Sequence, residues 1–193
     1  MENKLDFLAF GAHPDDVELG CSGALLKIID SGKKVGIIDL TLGELGTRGS
    51  SEIRSKETKQ ASKLLGIKIR ENLKFKDGFF TNDIEHQMKV ISIIRKYKPE
   101  FIFCNAPDDR HIDHPKASKL IVESCFLSGL SKIKTVDDLG NHQPHWRPKN
   151  IIHYIQWKNL KPDFILDISG YMKKKMDVIK CYSSQFYDPK SKE

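Results

Sequence analysis

Two short stretches of this 193-residue sequence concentrate side chains able to bind a metal and to move protons. The first is Gly11-Ala12-His13-Pro14-Asp15-Asp16-Val17-Glu18, and the second is Asp108-Asp109-Arg110-His111-Ile112-Asp113-His114. Two imidazoles and one carboxylate make a common open metal site, because they leave coordination positions for water and substrate. His13, Asp16 and His114 fit such a set and leave Asp15 beside the metal. Each stretch alone has a plainer explanation: a His next to Pro is ordinarily a surface loop residue, and an Asp pair after a strand ordinarily caps the next helix. Both stretches follow apolar runs that read as strands, and together they point to chemistry.

The elements that must position these loops alternate along the chain. Leu5–Gly11 reads as a buried first strand, Val35–Leu40 as a second, Leu73–Phe75 as a third and Phe101–Cys104 as a fourth. Later strands are expected over Ile151–Gln156 and Phe164–Ile168. Between them a helix is expected from Gly23 to Asp30, with Leu25, Leu26, Ile28 and Ile29 on its core face and Gly32 at its end. Ser50 or Ser51 caps another that ends at Gly66, and Asn82 or Asp83 caps a third in which Ile84, Met88, Ile91 and Ile94 share one face. Pro115–Leu127 and Tyr171–Tyr182 complete the helices. Such alternation predicts an α/β, Rossmann-like three-layer sandwich with a mostly parallel sheet. Sites in these sheets form outside the carboxyl ends of strands, often where the strand order reverses. The polar segment Ser131–Asn150 is long for a connection and reads as a binding loop.

The formal charge is +6, from 32 Lys and Arg against 26 Asp and Glu, which suits an anionic partner. The basic residues are spread out, with the densest run at Lys173–Lys175, so an anionic small molecule fits better than nucleic acid. Cys21, Cys104, Cys125 and Cys181 form no C-x-x-C pair, which argues against a zinc knuckle, a thioredoxin motif or a disulfide framework. No run approaches transmembrane length, and Leu5–Phe10 is short and flanked by acidic residues, unlike a leader. The expected place is the cytoplasm, with neither membrane nor nucleic acid as partner.

Gly-Ala-His13-Pro14-Asp15-Asp16 together with Arg110-His111-x-Asp113-His114 resembles the GlcNAc-phosphatidylinositol de-N-acetylase family, also called LmbE-like. Asp39-Leu40-Thr41-Leu42-Gly43-Glu44-Leu45-Gly46-Thr47-Arg48-Gly49, followed by Glu52-Ile53-Arg54, looks like the branch that contains bacillithiol-biosynthesis deacetylases. The likeness reaches Asp167-Ile168-Ser169 and the Tyr182–Phe186 segment, so the chain reads as one domain over residues 1–193. Members of the branch usually continue after the region of Ser184-Gln185-Phe186, whereas this sequence stops at Glu193; a C-terminal segment is therefore expected to be lacking.

The resemblance implies an LmbE-like fold, a homo-oligomer with hexamers among its forms, and a zinc-dependent deacetylase of an N-acetylglucosaminyl compound. Fe2+ could replace Zn2+ on the same ligands. N-acetylglucosaminyl malate is the first substrate implied, and N-acetylglucosamine or its oligomers the next. On this scheme His13, Asp16 and His114 hold the metal and Asp15 is the general base. His111 helps stabilise the oxyanion, with Asp113 orienting its ring or keeping it protonated. Asp15 or His111 returns the proton to the departing amine. Arg48, Arg54 and Arg147 are the expected grips on an anionic substrate, since a guanidinium matches a carboxylate with two hydrogen bonds. Three other classes fit less well. Non-haem iron oxygenases share the ligand set but resemble jelly rolls. A dinucleotide-binding dehydrogenase needs glycines where His13, Pro14 and Asp15 stand. A non-catalytic sugar-binding protein has no chemical need of Asp15 and His111.

Overall fold

Strand β1 (Phe7–Gly11) lies in the middle of the sheet, parallel to β2 (Val35–Thr41) on one side and β4 (Phe101–Asn105) on the other. Phe7 pairs with Val35 and with Phe101. Two more parallel strands, β3 (Ile69–Phe75) and β5 (Asn150–Tyr154), complete the order β3-β2-β1-β4-β5. Every residue of β2 is buried, as a strand covered on both faces requires. The order reverses between β1 and β4, so the binding crevice of an open α/β sheet falls at their carboxyl ends. This computed structural model describes residues 4–186.

Side chains alternate across the strands and feed two cores. Leu8, Phe10, Ile38 and Ile102 pack with Val90 and Ile94 of α3 (Ile84–Tyr97) and with Leu120 and Ile121 of α4 (Asp113–Ser128). On the other face Ala9 and Ile37 pack with Leu25 and Leu26 of α1 (Asp16–Asp30), Ala61 and Leu65 of α2 (Ser51–Leu65), and Val178 of α5 (Met172–Ile179). Each such buried Val, Leu, Ile or Phe side chain stabilises the fold by roughly 1.5–3 kcal/mol, the alanines by less. The helix ends follow local chemistry. Ser50 Oγ accepts from the Ile53 N–H, Asp83 accepts from the His86 N–H, and Gly66 closes α2 at φ 79°.

Three expectations are corrected. Helix α1 begins at Asp16, not Gly23, because packing overrides the low helix propensity of its glycines. A Cβ at Gly20 would lie 2.2 Å from the Tyr154 ring, and one at Gly23 would lie 2.5 Å from Ile168. Phe164–Ile168 forms no strand: Phe164 and Ile165 are exposed, and the segment straps across α1, where Lys27 Nζ donates to the Asp167 carbonyl. The helix expected over Tyr171–Tyr182 is a 3-10 turn at Ser169–Tyr171 followed by α5, and a short α6 (Ser183–Phe186) comes after it. Residues 131–150, expected as a binding loop, lie at the opposite end of the sheet from the switch point. They close the amino end of the sheet around Arg95, and Trp146 Nε1 donates to the Pro99 carbonyl. Among the described residues no helix is long and apolar enough to cross a membrane.

Candidate active site

The loop after β1 enters α1 through a strained residue. Asp15 holds the N-cap position at φ 125° and ψ −24°, a conformation that residues other than glycine rarely adopt. Its side chain makes no capping bond, so the ordinary reason for an Asp at a helix start does not apply. Strain of this kind persists where the surroundings over-determine a conformation, and it gathers at functional sites. The Asp15 carboxylate faces Arg54 instead: Nη1 lies 3.4 Å from Oδ2 and donates to the Pro14 carbonyl at 3.2 Å.

Asp16, one residue on, is held by three donors. The His13 N–H and Asn105 Nδ2 donate to Oδ2 at 2.9 and 3.1 Å, and Gln156 Nε2 donates to Oδ1 at 2.9 Å. Two imidazoles face the same carboxylate: His13 Nδ1 is 3.4 Å from Oδ2, and His114 Nε2 is 3.2 Å from Oδ1. Tetrahedral zinc with bonds of about 2.0–2.1 Å sets its donor atoms roughly 3.3 Å apart. Each imidazole stands at about that spacing from one oxygen of Asp16, so the carboxylate and its two flanking nitrogens are of the donor types a divalent cation takes.

The far nitrogen of each imidazole meets a second carboxylate. His13 Nε2 is 3.0 Å from Asp77 Oδ1 and 3.5 Å from Asp113 Oδ2, and His114 Nδ1 is 3.3 Å from Asp109 Oδ2. His111 is exposed at the mouth, its ring edge-on to His13 at 4.6 Å and stacked on His114 at 5.0 Å. The ligand atoms of His13, His111 and His114 lie within 4.8 Å of one another, as do those of His13, Asp77 and Asp113.

The electrostatics of this pocket favour a cation. Burial works against charge on His13, yet hydrogen bonds to Asp113, Asp16 and Asp77 outweigh it and push its pKa up to about 12. Burial likewise opposes the charge of His114, and Asp16 and Asp109 raise it all the same. Asp16 is buried too, but His114 and His13 hold its carboxyl well below the usual range. Asp15 goes the other way: burial and the neighbouring Asp16 charge push it well above the usual range, and Arg54 offsets this only in part. Two adjacent aspartates are therefore driven apart, one a fixed anion and the other able to take a proton, which is the separation that acid–base chemistry uses. Burial and the imidazoles of His13 and His114 lower His111.

The structure gathers His13, Asp15, Asp16, His111, Asp113 and His114 at the switch point. The Asp113 carboxylate turns to the Gly78 N–H, Lys116 and His13, while its backbone N–H donates to His111 Nδ1 at 3.3 Å. Its hold on His111 therefore runs through the main chain. Arg54 is buried against Asp15, and Arg48 is exposed on the loop after β2. Arg147 is not brought together with these residues. Its guanidinium stacks 4.4 Å from the Phe126 ring and donates to the Phe126 carbonyl, near the far end of α4. That helix has 16 residues, so its ends are about 24 Å apart. Sequence reasoning missed Asn105, Gln156 and Asp77. All three sit at or just beyond the carboxyl ends of strands, the one signal that could have found them.

Residues 8–125 match the family PIG-L: GlcNAc-PI de-N-acetylase. The chain is similar to the diacetylchitobiose deacetylase of Thermococcus kodakarensis, with 29% identity over 189 residues that make up 93% of this chain and 69% of that protein. It is also similar to a probable N-acetyl-alpha-D-glucosaminyl L-malate deacetylase 2 of Bacillus anthracis, with 24% identity over 202 residues, covering 96% of this chain and 84% of that one. Among solved structures, the conserved protein TT1542 of Thermus thermophilus superposes with a TM-score of 0.87 at 36% identity, over 94% of this chain and 80% of that chain. The family match spans more than half of the sequence and takes in both the His13–Asp16 and the His111–His114 loops, so this chain belongs to the PIG-L, or LmbE-like, GlcNAc-PI de-N-acetylase family.

Proposed function

We propose that this protein is a metal-dependent deacetylase that hydrolyses the acetamido group of an N-acetylglucosaminyl compound. Asp15 carries the assignment: a strained, buried carboxyl with a raised pKa stands beside His13, Asp16 and His114 at the switch point of the sheet. Family membership and the similarity to two deacetylases support it. When bound, the cation, for which we propose Zn2+ with Fe2+ able to substitute, supplies a Lewis acid that lowers the pKa of a water from 15.7 to about 7.

The chain's own residues then divide the remaining work. Asp15 takes the proton of the attacking water and returns it to the departing nitrogen, a role suited to a carboxyl that burial and the Asp16 charge push well above the usual range. Arg54 Nη1 faces Oδ2 of that carboxylate at 3.4 Å and offsets part of the upward push on it. His111 accepts the Asp113 N–H at Nδ1, so its own proton sits on Nε2, where it can be donated to the developing oxyanion. Asp16 stays ionised, and Asn105 and Gln156 hold it in place.

The leaving sugar is the less constrained part. Of the three arginines expected to grip an anion, Arg54 is engaged with Asp15 and Arg147 lies at the far end of α4. Arg48 on the exposed loop after β2 supports a charged substrate such as the malate conjugate. The similarity to a diacetylchitobiose deacetylase supports an N-acetylglucosamine oligomer. One experiment addresses both. Metal content is measured on purified protein, followed by amine release from N-acetylglucosaminyl malate, diacetylchitobiose and N-acetylglucosamine, with and without chelator. Chelator-sensitive release from any of them is expected. A metal-loaded protein that releases amine from none would overturn the assignment. Preference for the malate conjugate, abolished in Arg48→Ala, would place the substrate among the anions.

A further inference from the structure

Asp77 lies outside both of the loops that carry the family resemblance, on the turn after β3, yet its side chain is buried in the heart of the site. Both of its carboxylate oxygens and its N–H are committed. Oδ1 stands 3.0 Å from His13 Nε2, and Oδ2 accepts the Leu45 N–H at 2.9 Å. Its own N–H donates to Glu44 Oε1 at 2.9 Å, and the next N–H, that of Gly78, donates to Asp113 Oδ2 at 2.7 Å. Gly78 holds φ 73° to do so, a backbone angle that favours glycine. One short turn thus joins the loop after β1, the loop after β2 and the start of α4.

A neutral imidazole carries one ring proton, and the acceptor at one nitrogen decides which nitrogen is left with a lone pair. Carboxylates at His13 Nε2, Asp77 Oδ1 at 3.0 Å and Asp113 Oδ2 farther off at 3.5 Å, keep the proton there and leave Nδ1 for the cation. Nδ1 is the nitrogen that faces Asp16, at 3.4 Å. His114 shows the mirrored arrangement, with Nε2 toward Asp16 and Nδ1 toward Asp109. Carboxylates behind ligating histidines fix ring orientation and tautomer, and losing one typically weakens metal binding or activity by about 10–100-fold.

We propose that Asp77 is a positioning residue: it sets the Nε2–H tautomer of His13 and thereby ties the metal-facing nitrogen to the Glu44–Leu45 loop. The idea rests on the metal site assigned above, but it is tested without turnover. Asp77→Asn can satisfy His13 or the Leu45 N–H with its single oxygen, not both, and it should weaken Zn2+ affinity about 10–100-fold in chelator competition. The number of ions bound at saturation should not change, and kcat should fall with KM kept within about twofold. Asp77→Glu, which retains a carboxylate, should recover part of the affinity. Ring 15N spectra of the zinc-loaded wild-type protein need no variant and should show His13 protonated at Nε2. Protonation at Nδ1, unchanged affinity in Asp77→Asn, or loss of a whole bound ion in that variant would each overturn the proposal. If no substrate is turned over while affinity and tautomer behave as stated, the deacetylase assignment fails and the role of Asp77 stands.

Discussion

Two arginines are almost wholly buried at opposite ends of the same sheet, and they are held in opposite ways. Arg95, in α3 at the amino end, donates from Nε to the Ser128 carbonyl, from Nη1 to the Ile133 carbonyl and Thr135 Oγ1, and from Nη2 to the Leu130 carbonyl, all between 2.8 and 3.0 Å. These acceptors are neutral and firmly placed, and together they fasten the 131–150 loop to the helix layer. Arg54, at the carboxyl end, reaches the Pro14 carbonyl at 3.2 Å, the long end of the usual range, and Asp15 at 3.4 Å, beyond it. Its main partner is a strained carboxyl whose pKa is raised. Buried polarity that is saturated stabilises the fold, whereas buried polarity left loose around a titrating group is poised to act.

The largest test of that contrast is Asp15→Asn. Turnover should fall roughly a thousandfold, about 4 kcal/mol of barrier, with metal still bound. Stability should not fall with it. A carboxyl whose folded pKa is raised contributes stability that is full below its unfolded pKa and lost as pH rises through the folded value. At pH 8 the metal-free variant should therefore be at least as stable as the metal-free wild type. Thermal melts at pH 5 and pH 8 check this, and a variant less stable at pH 8 would remove the distinction between the two ends.

Within the site, His111→Ala should cost a few hundredfold in turnover, about 3 kcal/mol, while the metal stays bound. His114→Ala should empty the site, because His114 faces Asp16 directly and His111 does not. Metal analysis of both proteins is decisive: a His111→Ala protein as metal-poor as His114→Ala would exchange their roles. At the opposite end, Arg95→Met removes four hydrogen bonds, although the Ser128 and Leu130 carbonyls keep the Trp146 and Ile133 N–H donors, and a loss of about 2–3 kcal/mol is expected in urea unfolding. Its kcat/KM should stay within twofold of wild type. A large activity loss at unchanged stability would mean that the amino end is not merely structural.

The two loops at the switch point were legible because their residue types are local in the sequence. His13, Asp15 and Asp16 follow one apolar strand, His111, Asp113 and His114 follow another, and a parallel sheet brings such ends together. Asp77 was not legible, since Asp-Gly after a weakly marked strand reads as a turn, and its purpose lies in a ring 64 positions away in the chain. Phe164–Ile168 misled for the reverse reason: an apolar run specifies burial or pairing only if a partner exists, and here α1 takes just Ile168. The first turns of α1, before Gly23, were not legible because the Tyr154 ring and Ile168, which need the space at Gly20 and Gly23, are remote in sequence.

Arg147 gives the smallest and most direct test of the two-ended arrangement. Its charge type suggested a grip on an anionic substrate, but its position gives it a different task. It stacks on Phe126 and donates to the carbonyl of that residue, while a Cβ at Gly129 would lie 2.4 Å from its Nε. An exposed cation–π contact is worth about 0.5–1 kcal/mol, so Arg147→Ala should lower stability by no more than that. KM for N-acetylglucosaminyl malate should not move, whereas Arg48→Ala should raise it and leave diacetylchitobiose unaffected. If Arg147→Ala instead raised KM for the malate conjugate alone, the far end of α4 would have to reach a substrate site in the assembled protein. The division between a structural end and a chemical end would then hold for one chain and fail for the assembly.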